Sequence, residues 1–204
     1  MSMFYENYWN EKPNDELNDF VYKWPVIKKV FPRINRLKVL DYGCGSGRLL
    51  GELINNFPDN SYIGADVSES GLKRAKRNLG EVEFAKVSDG VKLPFGKNSF
   101  DLIIATDVIE HVYDTKLLFS EFYRILRMGG EIIITIPYHG LIKNILICLA
   151  GFEEVFDPTG PHIRFFTKRS LNKCLSQAGL IQVYITTFGR FYPLSRGLLS
   201  IAKK

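Results

Sequence analysis

From Leu37 onward, short apolar runs rich in β-branched residues alternate with longer stretches whose apolar positions recur at helical spacing. The predicted strands are Lys38–Asp41, Tyr62–Asp66, Val82–Ala85, Phe100–Ala105 and Glu131–Ile136. Helices are predicted between them at Gly47–Phe57, Glu69–Leu79 and Thr115–Arg127, while Lys86–Ser99, with Pro94 and two glycines, reads as loop. Such alternation predicts a parallel sheet with helices on both faces. After Pro137 the pattern changes. Gly140–Ala150 reads as a helix, Phe152–Pro161 as a loop and Thr167–Gln177 as a helix, with Gly179 where a C-cap belongs. Ile181–Phe188 and Leu198–Ala202 read as two closing strands, and residues 1–36 as one or two helices bearing Phe4, Tyr5, Tyr8, Trp9 and Trp24. One domain over 1–204 is expected: a helical cover (1–36), a core (37–137), an inserted cover (138–167), and a terminal helix with strands (168–204).

The densest chemistry sits in VLDYGCGSGRLL, residues 39–50. An apolar strand ends in Asp41, turns through Gly43, Gly45 and Gly47, and enters a helix. Ligands of open α/β sheets bind beyond the carboxyl ends of the strands, so these glycines line the expected place. A P-loop needs GxxxxGK[ST], and no such Lys–Ser/Thr pair follows. A dinucleotide fingerprint needs GxGxxG or GxGxxA, but counting from Gly43 ends on Arg48 and counting from Gly45 ends on Leu50. Asp41 at the strand mouth repels a pyrophosphate and suits a ligand with a positive end. Asp66, about 20 residues past the glycines, stands where a carboxylate accepts from both ribose hydroxyls, or caps the following helix. Asp89, in VSDG after the third strand, reads as an acceptor for an adenine amino group or as an Asx turn before Gly90.

Composition narrows the setting. The balance of 27 Lys and Arg against 22 Asp and Glu is mildly basic and scattered, not the patch or stripe of a nucleic-acid binder. Three cysteines without a CxxC pair, Cys44, Cys148 and Cys174, fit neither a disulfide framework nor a zinc site. No signal-peptide pattern opens the chain, and Leu141–Ala150 is too short to span a bilayer, which takes about 20 residues. A soluble, cytoplasmic protein is the expectation.

Taken together, these residues resemble the class I S-adenosylmethionine-dependent methyltransferases. VLDYGCGSG is similar to that family's first motif, IGADVS to its second, and LPFGKNSFDLIIATDVIEHV and LFSEFYRILRMGGEIIITIP to its fourth-strand and fifth-strand segments. The pattern is nearest to the small-molecule enzymes of the ubiquinone and menaquinone type. The resemblance implies a Rossmann-like doubly wound α/β sheet of seven strands, order 3-2-1-4-5-7-6, with the seventh antiparallel. It also implies S-adenosylmethionine as cofactor, lying over Gly43–Gly47, with contacts from Asp41, Cys44, Asp66, Val67, Ser88, Asp89 and Thr106.

For a hydroxyl acceptor a histidine base is the usual choice near neutral pH. His111 follows the fourth strand and His139 the fifth, and both are candidates for catalysis. Tyr138, His139, His162 and Arg164 are candidates for the acceptor side, although Arg164 also reads as a surface ion pair. Asp107, Glu110 and His111 match an acidic-x-x-Glu-His pattern that binds a divalent cation in some ubiquinone-type enzymes, but the expectation here is no metal. Tyr5, Tyr8 and Trp9 resemble an N-terminal aromatic cover. Leu141–Ala150 must bury its apolar sides against an acceptor, another subunit or, ranked last, a membrane surface; its single Lys is thin for an interfacial helix. The expected reaction is methyl transfer to oxygen or carbon of a small, lipophilic acceptor by a monomer or homodimer, with no nucleic-acid partner. The alternatives are an RNA or protein methyltransferase and a non-catalytic cofactor-binding subunit.

Overall fold

The computed structural model describes residues 2–11, 20–158 and 160–204. Its strands are β1 (Lys38–Tyr42), β2 (Ser61–Asp66), β3 (Glu83–Lys86), β4 (Phe100–Thr106), β5 (Leu126–Pro137), β6 (Ile181–Phe188) and β7 (Gly197–Lys203). The helices are α1 (Ser2–Glu11), α2 (Phe20–Val30), α3 (Arg48–Asn56), α4 (Glu69–Leu79), α5 (Thr115–Ile125), α6 (Leu141–Ala150), α7 (Phe152–Val155) and α8 (Lys168–Gln177). All seven strands join one sheet in the order β3-β2-β1-β4-β5-β7-β6. β1 runs parallel to both β2 and β4, while β7 runs antiparallel to β5 and β6. The strand order and the reversed β7 are those the sequence resemblance implies.

The alternation of side chains along the strands builds two cores. Leu40, Ile103 and Ile134 face α5 and α8, where Phe119, Phe122, Leu171 and Leu175 are fully buried. Val39, Ile104 and Ile133 face the other way, onto Ile27, Phe31, Leu50 and Leu53 of the α2–α3 layer. Each such side chain contributes about 1.5–3 kcal/mol on burial. Because β1 is flanked by β2 on one side and β4 on the other, chain crossovers leave in opposite directions there, and a crevice opens at its carboxyl end.

Three elements depart from expectation. Helix α5 stops at Ile125 and β5 begins at once, five residues ahead of the predicted Glu131, because Leu126 pairs with Phe100 across an irregularity in the β4–β5 ladder. Arg127 then lies outside any helix, with Nη1 donating to both carboxylate oxygens of Asp101 at 2.7 and 2.8 Å. Phe152–Val155 forms a short helix within the predicted loop. The N-terminal cover forms two helices, and its stretch 12–19 lies outside the described residues. Among the described residues no helix is long and apolar enough to cross a membrane.

Candidate functional site

The carboxyl ends of β1, β2 and β4 surround a cavity of about 260 Å³. Asp41, Asp66 and Asp89 approach it from the sheet and the loops beyond it, and Tyr5, Tyr8 and Trp9 of α1 approach from the opposite side.

Asp41 is one of two buried carboxyls among the described residues that lack a hydrogen bond, the other being Glu110. Asp41 is 1% exposed and neither carboxylate oxygen has a hydrogen-bond partner. An unpaired buried charge is costly, so such a group stays neutral or waits for a cation. Burial first, and the charge of Asp66 second, push its pKa up to about 8. Asp66, at the end of β2, is buried but partnered: it accepts from the Gly45 and Ser68 backbone N–H groups, each at 2.8 Å. Those bonds oppose the upward push of burial on its pKa. A carboxylate has about four acceptor positions, so some acceptor capacity remains for a ligand hydroxyl. Asp89 is half-buried and its carboxyl is likewise raised by burial.

The glycine turn explains itself locally. Gly45 has φ +51°, and a Cβ there would fall 2.3 Å from the Trp9 ring. Only glycine therefore supplies the left-handed turn and lets α1 lie on it. Gly43 similarly clears Val108, by contrast with Gly47, which does not line the cavity and instead makes room for Leu79 of α4. Helix α1 is held from outside by Glu6. Its carboxylate accepts from Ser68 Oγ and the Glu69 N–H at 2.9 Å, and from the Ser70 N–H at 3.0 Å. These are unpaired donors of the first turn of α4, where an anion is favoured. The resemblance to an N-terminal aromatic cover flagged Tyr5, Tyr8 and Trp9 of α1 but not this clamp, whose partners lie more than 60 residues away.

The other wall carries His111, in a single 3₁₀ turn, Ile109–His111. Its Nδ1 lies 2.8 Å from the Pro161 carbonyl oxygen, which can only accept, so Nδ1 bears the proton and Nε2 presents its lone pair. Burial holds the ring's pKa below its ordinary value. The His162 ring lies 4.8 Å from it, tilted by 34°, and Tyr5 meets it edge-on at 5.5 Å. Glu110 is 1% exposed with neither oxygen hydrogen-bonded, and its Oε1 lies 3.9 Å from His111 Nε2. An oxygen of Glu110 and ring nitrogens of His111 and His162 lie within 4.8 Å of one another, a spacing that two imidazoles and a carboxylate can share around a cation. Asp107, by contrast, is ion-paired with Lys23 and accepts from Thr135 Oγ1 at 3.0 Å. Nothing in the sequence pointed to Lys23.

The structure thus gathers Asp41, Gly43, Cys44, Gly45, Asp66, Val67, Asp89, Thr106 and His111 around one cavity. Ser88 is exposed and faces a smaller hollow beside it. Tyr138, His139, His162 and Arg164 are not among the lining residues. Tyr138 is buried near Tyr192, and His139 is buried against Phe165, with Nδ1 3.2 Å from Asn144 Oδ1. Arg164 is a strap, donating from Nε to the Val112 carbonyl at 2.9 Å and from Nη2 to that of Tyr113.

The donor set fits a nucleoside with a positive centre: a buried carboxylate without a partner, a second carboxylate with spare acceptor capacity, and a turn free of Cβ atoms. Comparison with known proteins agrees. Residues 40–134 match the family described as "Methyltransferase domain". Phosphoethanolamine N-methyltransferase 3 of Arabidopsis thaliana is 38% identical over 102 residues, covering 48% of this chain and 20% of that protein. The malonyl-[acyl-carrier protein] O-methyltransferase of Legionella pneumophila is 32% identical over 117 residues, covering 54% of this chain and 41% of that protein. The chain therefore spans less than half the length of these two curated relatives. One name gives nitrogen and the other oxygen as the methylated atom, so likeness at this level leaves the acceptor open. Among solved structures, a chain of the complex between the Haloferax volcanii Trm112 methyltransferase activator and a methyltransferase superposes with TM-score 0.79 at 16% identity, covering 98% of this chain and 96% of that one. That likeness is one of fold. The strand order and reversed β7 are those of the class I S-adenosylmethionine-dependent methyltransferase fold, and residues 40–134, which include the glycine turn, are similar to a methyltransferase domain.

Proposed function

We propose that this chain methylates oxygen or carbon of a small, lipophilic acceptor. S-adenosylmethionine, when bound, supplies a methyl group on a sulfonium, an electrophile ready for in-line displacement. The chain's own residues then bind, orient and exclude water. Asp41 meets the ligand's positive end, Asp66 accepts from the ribose hydroxyls, and Asp89 accepts from the adenine amino group. The main chain of Gly43–Gly45 passes beneath, with Val67 and Thr106 as walls. His111, neutral at pH 7 and with Nε2 unprotonated, takes the proton of an acceptor hydroxyl.

The observation that carries the small-acceptor reading is the position of α1, clamped through Glu6 over the cavity with Tyr5, Tyr8 and Trp9 facing inward. An RNA or protein side chain has to displace that helix, whereas a compact apolar molecule can lie between Tyr5, Val108 and Val112. Calorimetry with S-adenosylmethionine and S-adenosylhomocysteine, with NAD and ATP as controls, tests the site, and micromolar binding of the sulfur ligands alone is expected. Labelled-methyl transfer to a pool of phenolic and lipid-linked compounds then tests the acceptor. Label found only in RNA or protein overturns the small-acceptor reading, and no transfer to anything favours a cofactor-binding subunit.

A further inference from the structure

Helix α6 buries none of its ten residues. Leu141 and Leu149 are 78% and 79% exposed, and Ile145 between them is half exposed. Their spacing of four places them in one stripe along the helix. Phe152, in the short helix that follows, is 55% exposed, and Phe191 and Tyr192 of the β6–β7 turn, 72% and 67% exposed, add further apolar surface. The two parts are fastened together: Lys143 Nζ donates to the Tyr138 carbonyl at 2.8 Å and to that of Ser195 at 3.4 Å, and the Tyr138 and Tyr192 rings lie 6.5 Å apart. A contiguous apolar surface of this kind marks a binding face rather than scattered exposure.

The sequence of α6 alone lacks the cationic rim that an interfacial helix carries. The fold supplies it from other elements. Lys168 lies 5.7 Å over the Tyr192 ring, and Arg190 and Arg196 are near enough to Lys143 to act, after burial, in lowering its pKa. Lys168, Arg190 and Arg196 are exposed. Residues 138–204 carry nine Lys and Arg against three Asp and Glu, whereas the preceding residues carry eighteen against nineteen. Glu153 and Asp157 lie at the far end of α6, past Ala150, so the face is cationic at the end nearest the β6–β7 turn.

We propose that this face docks the protein on an anionic lipid surface. The apolar stripe enters the headgroup–acyl boundary, the two aromatic rings sit at headgroup level, and the exposed Lys168 and Arg190 meet the anionic headgroups. Since α6 follows directly on the carboxyl end of β5, docking brings the cofactor edge of the sheet to the bilayer. The inference rests on the surface alone and does not depend on which acceptor is methylated.

The test is co-sedimentation of the full chain with phosphatidylcholine vesicles, with and without phosphatidylglycerol, at low and high salt. Binding is expected only to the mixed vesicles and is weakened by salt. Leu149→Glu and Ile145→Glu are expected to abolish it, and Lys168→Gln and Arg190→Gln to weaken it about fivefold each, equivalent to about 1 kcal/mol per charge. All four sites are exposed, so an unchanged thermal midpoint and unchanged S-adenosylhomocysteine affinity verify that fold and cofactor site are intact. Failure of the unaltered chain to bind mixed vesicles overturns the proposal. So does binding that the four substitutions leave unchanged, or a dimer in solution that Leu149→Glu converts to monomer while vesicle binding is absent.

Discussion

A carboxyl with both oxygens unpartnered at 1% exposure is costly to ionise, and Asp41 carries that cost beside the glycine turn. Its folded pKa of about 8 lies above the ordinary 3.8. Below about pH 4 both folded and unfolded forms are protonated and nothing is lost. As pH rises toward 8, the unfolded chain ionises freely and the folded one does not, so stability falls across that window. Asp41→Asn is therefore expected to raise the thermal midpoint of the ligand-free protein, more at pH 8 than at pH 5, while weakening S-adenosylmethionine binding by about 1.5–3 kcal/mol. Scanning fluorimetry across pH and calorimetry give the two readouts; a lower midpoint at pH 8 removes the argument. Asp66 behaves differently, because Gly45 and Ser68 already satisfy it. Asp66→Ala is expected to cost about 1–3 kcal/mol of cofactor affinity with the fold retained, and unchanged affinity excludes Asp66 from the site. Asp41 stood out in the sequence from its place at the mouth of the first strand, and Asp66 from its distance past the glycines. The unpaired state of Asp41 did not, since burial and partners belong to the fold.

At the scale of elements, α1 is a separable part. It contacts the core through its aromatic face and the Glu6 clamp on the first turn of α4, beside the Ser68 cap. Against the burial that opposes its charge, hydrogen bonds from Ser68, Ser70 and Glu69 hold the Glu6 carboxyl below its ordinary range. Being depressed, that pKa gives a contribution present above about pH 4.5 and lost as pH falls further. Glu6→Ala is expected to loosen α1 by about 1 kcal/mol, seen as faster hydrogen exchange in residues 2–11 with β1 and β4 unchanged, and to speed cofactor release. Equal exchange in both proteins means that the aromatic contacts alone hold the helix. The aromatic residues of α1 stood out through their resemblance to an N-terminal cover, and the apolar run of α6 was visible because a run of apolar residues is a local feature. The start of β5 was missed because its first residue is extended by pairing with β4, a contact that no window of local sequence contains.

For the whole molecule, alternating apolar strands and helices were enough to announce a parallel sheet, but not the order in which the strands lie. The order followed from family likeness, since periodicity constrains each element and leaves their neighbours free. What the assembled fold adds is coupling between the ligand, protons and stability. With the Asp41 pKa at about 8, most molecules of the ligand-free protein hold a proton on that carboxyl at pH 7. A ligand whose cationic end meets Asp41 favours the carboxylate, so binding must expel the proton to solution. Affinity for S-adenosylmethionine is then expected to increase with pH up to about 8 and to level off beyond it. Calorimetric titrations in buffers of different ionisation enthalpy measure the release directly: close to one proton at pH 7, falling toward zero above pH 9. Asp41→Asn should bind with no such release at either pH. A buffer-independent enthalpy for the unaltered protein at pH 7 means that Asp41 keeps its proton in the complex, and the cation must then be met elsewhere in the cavity.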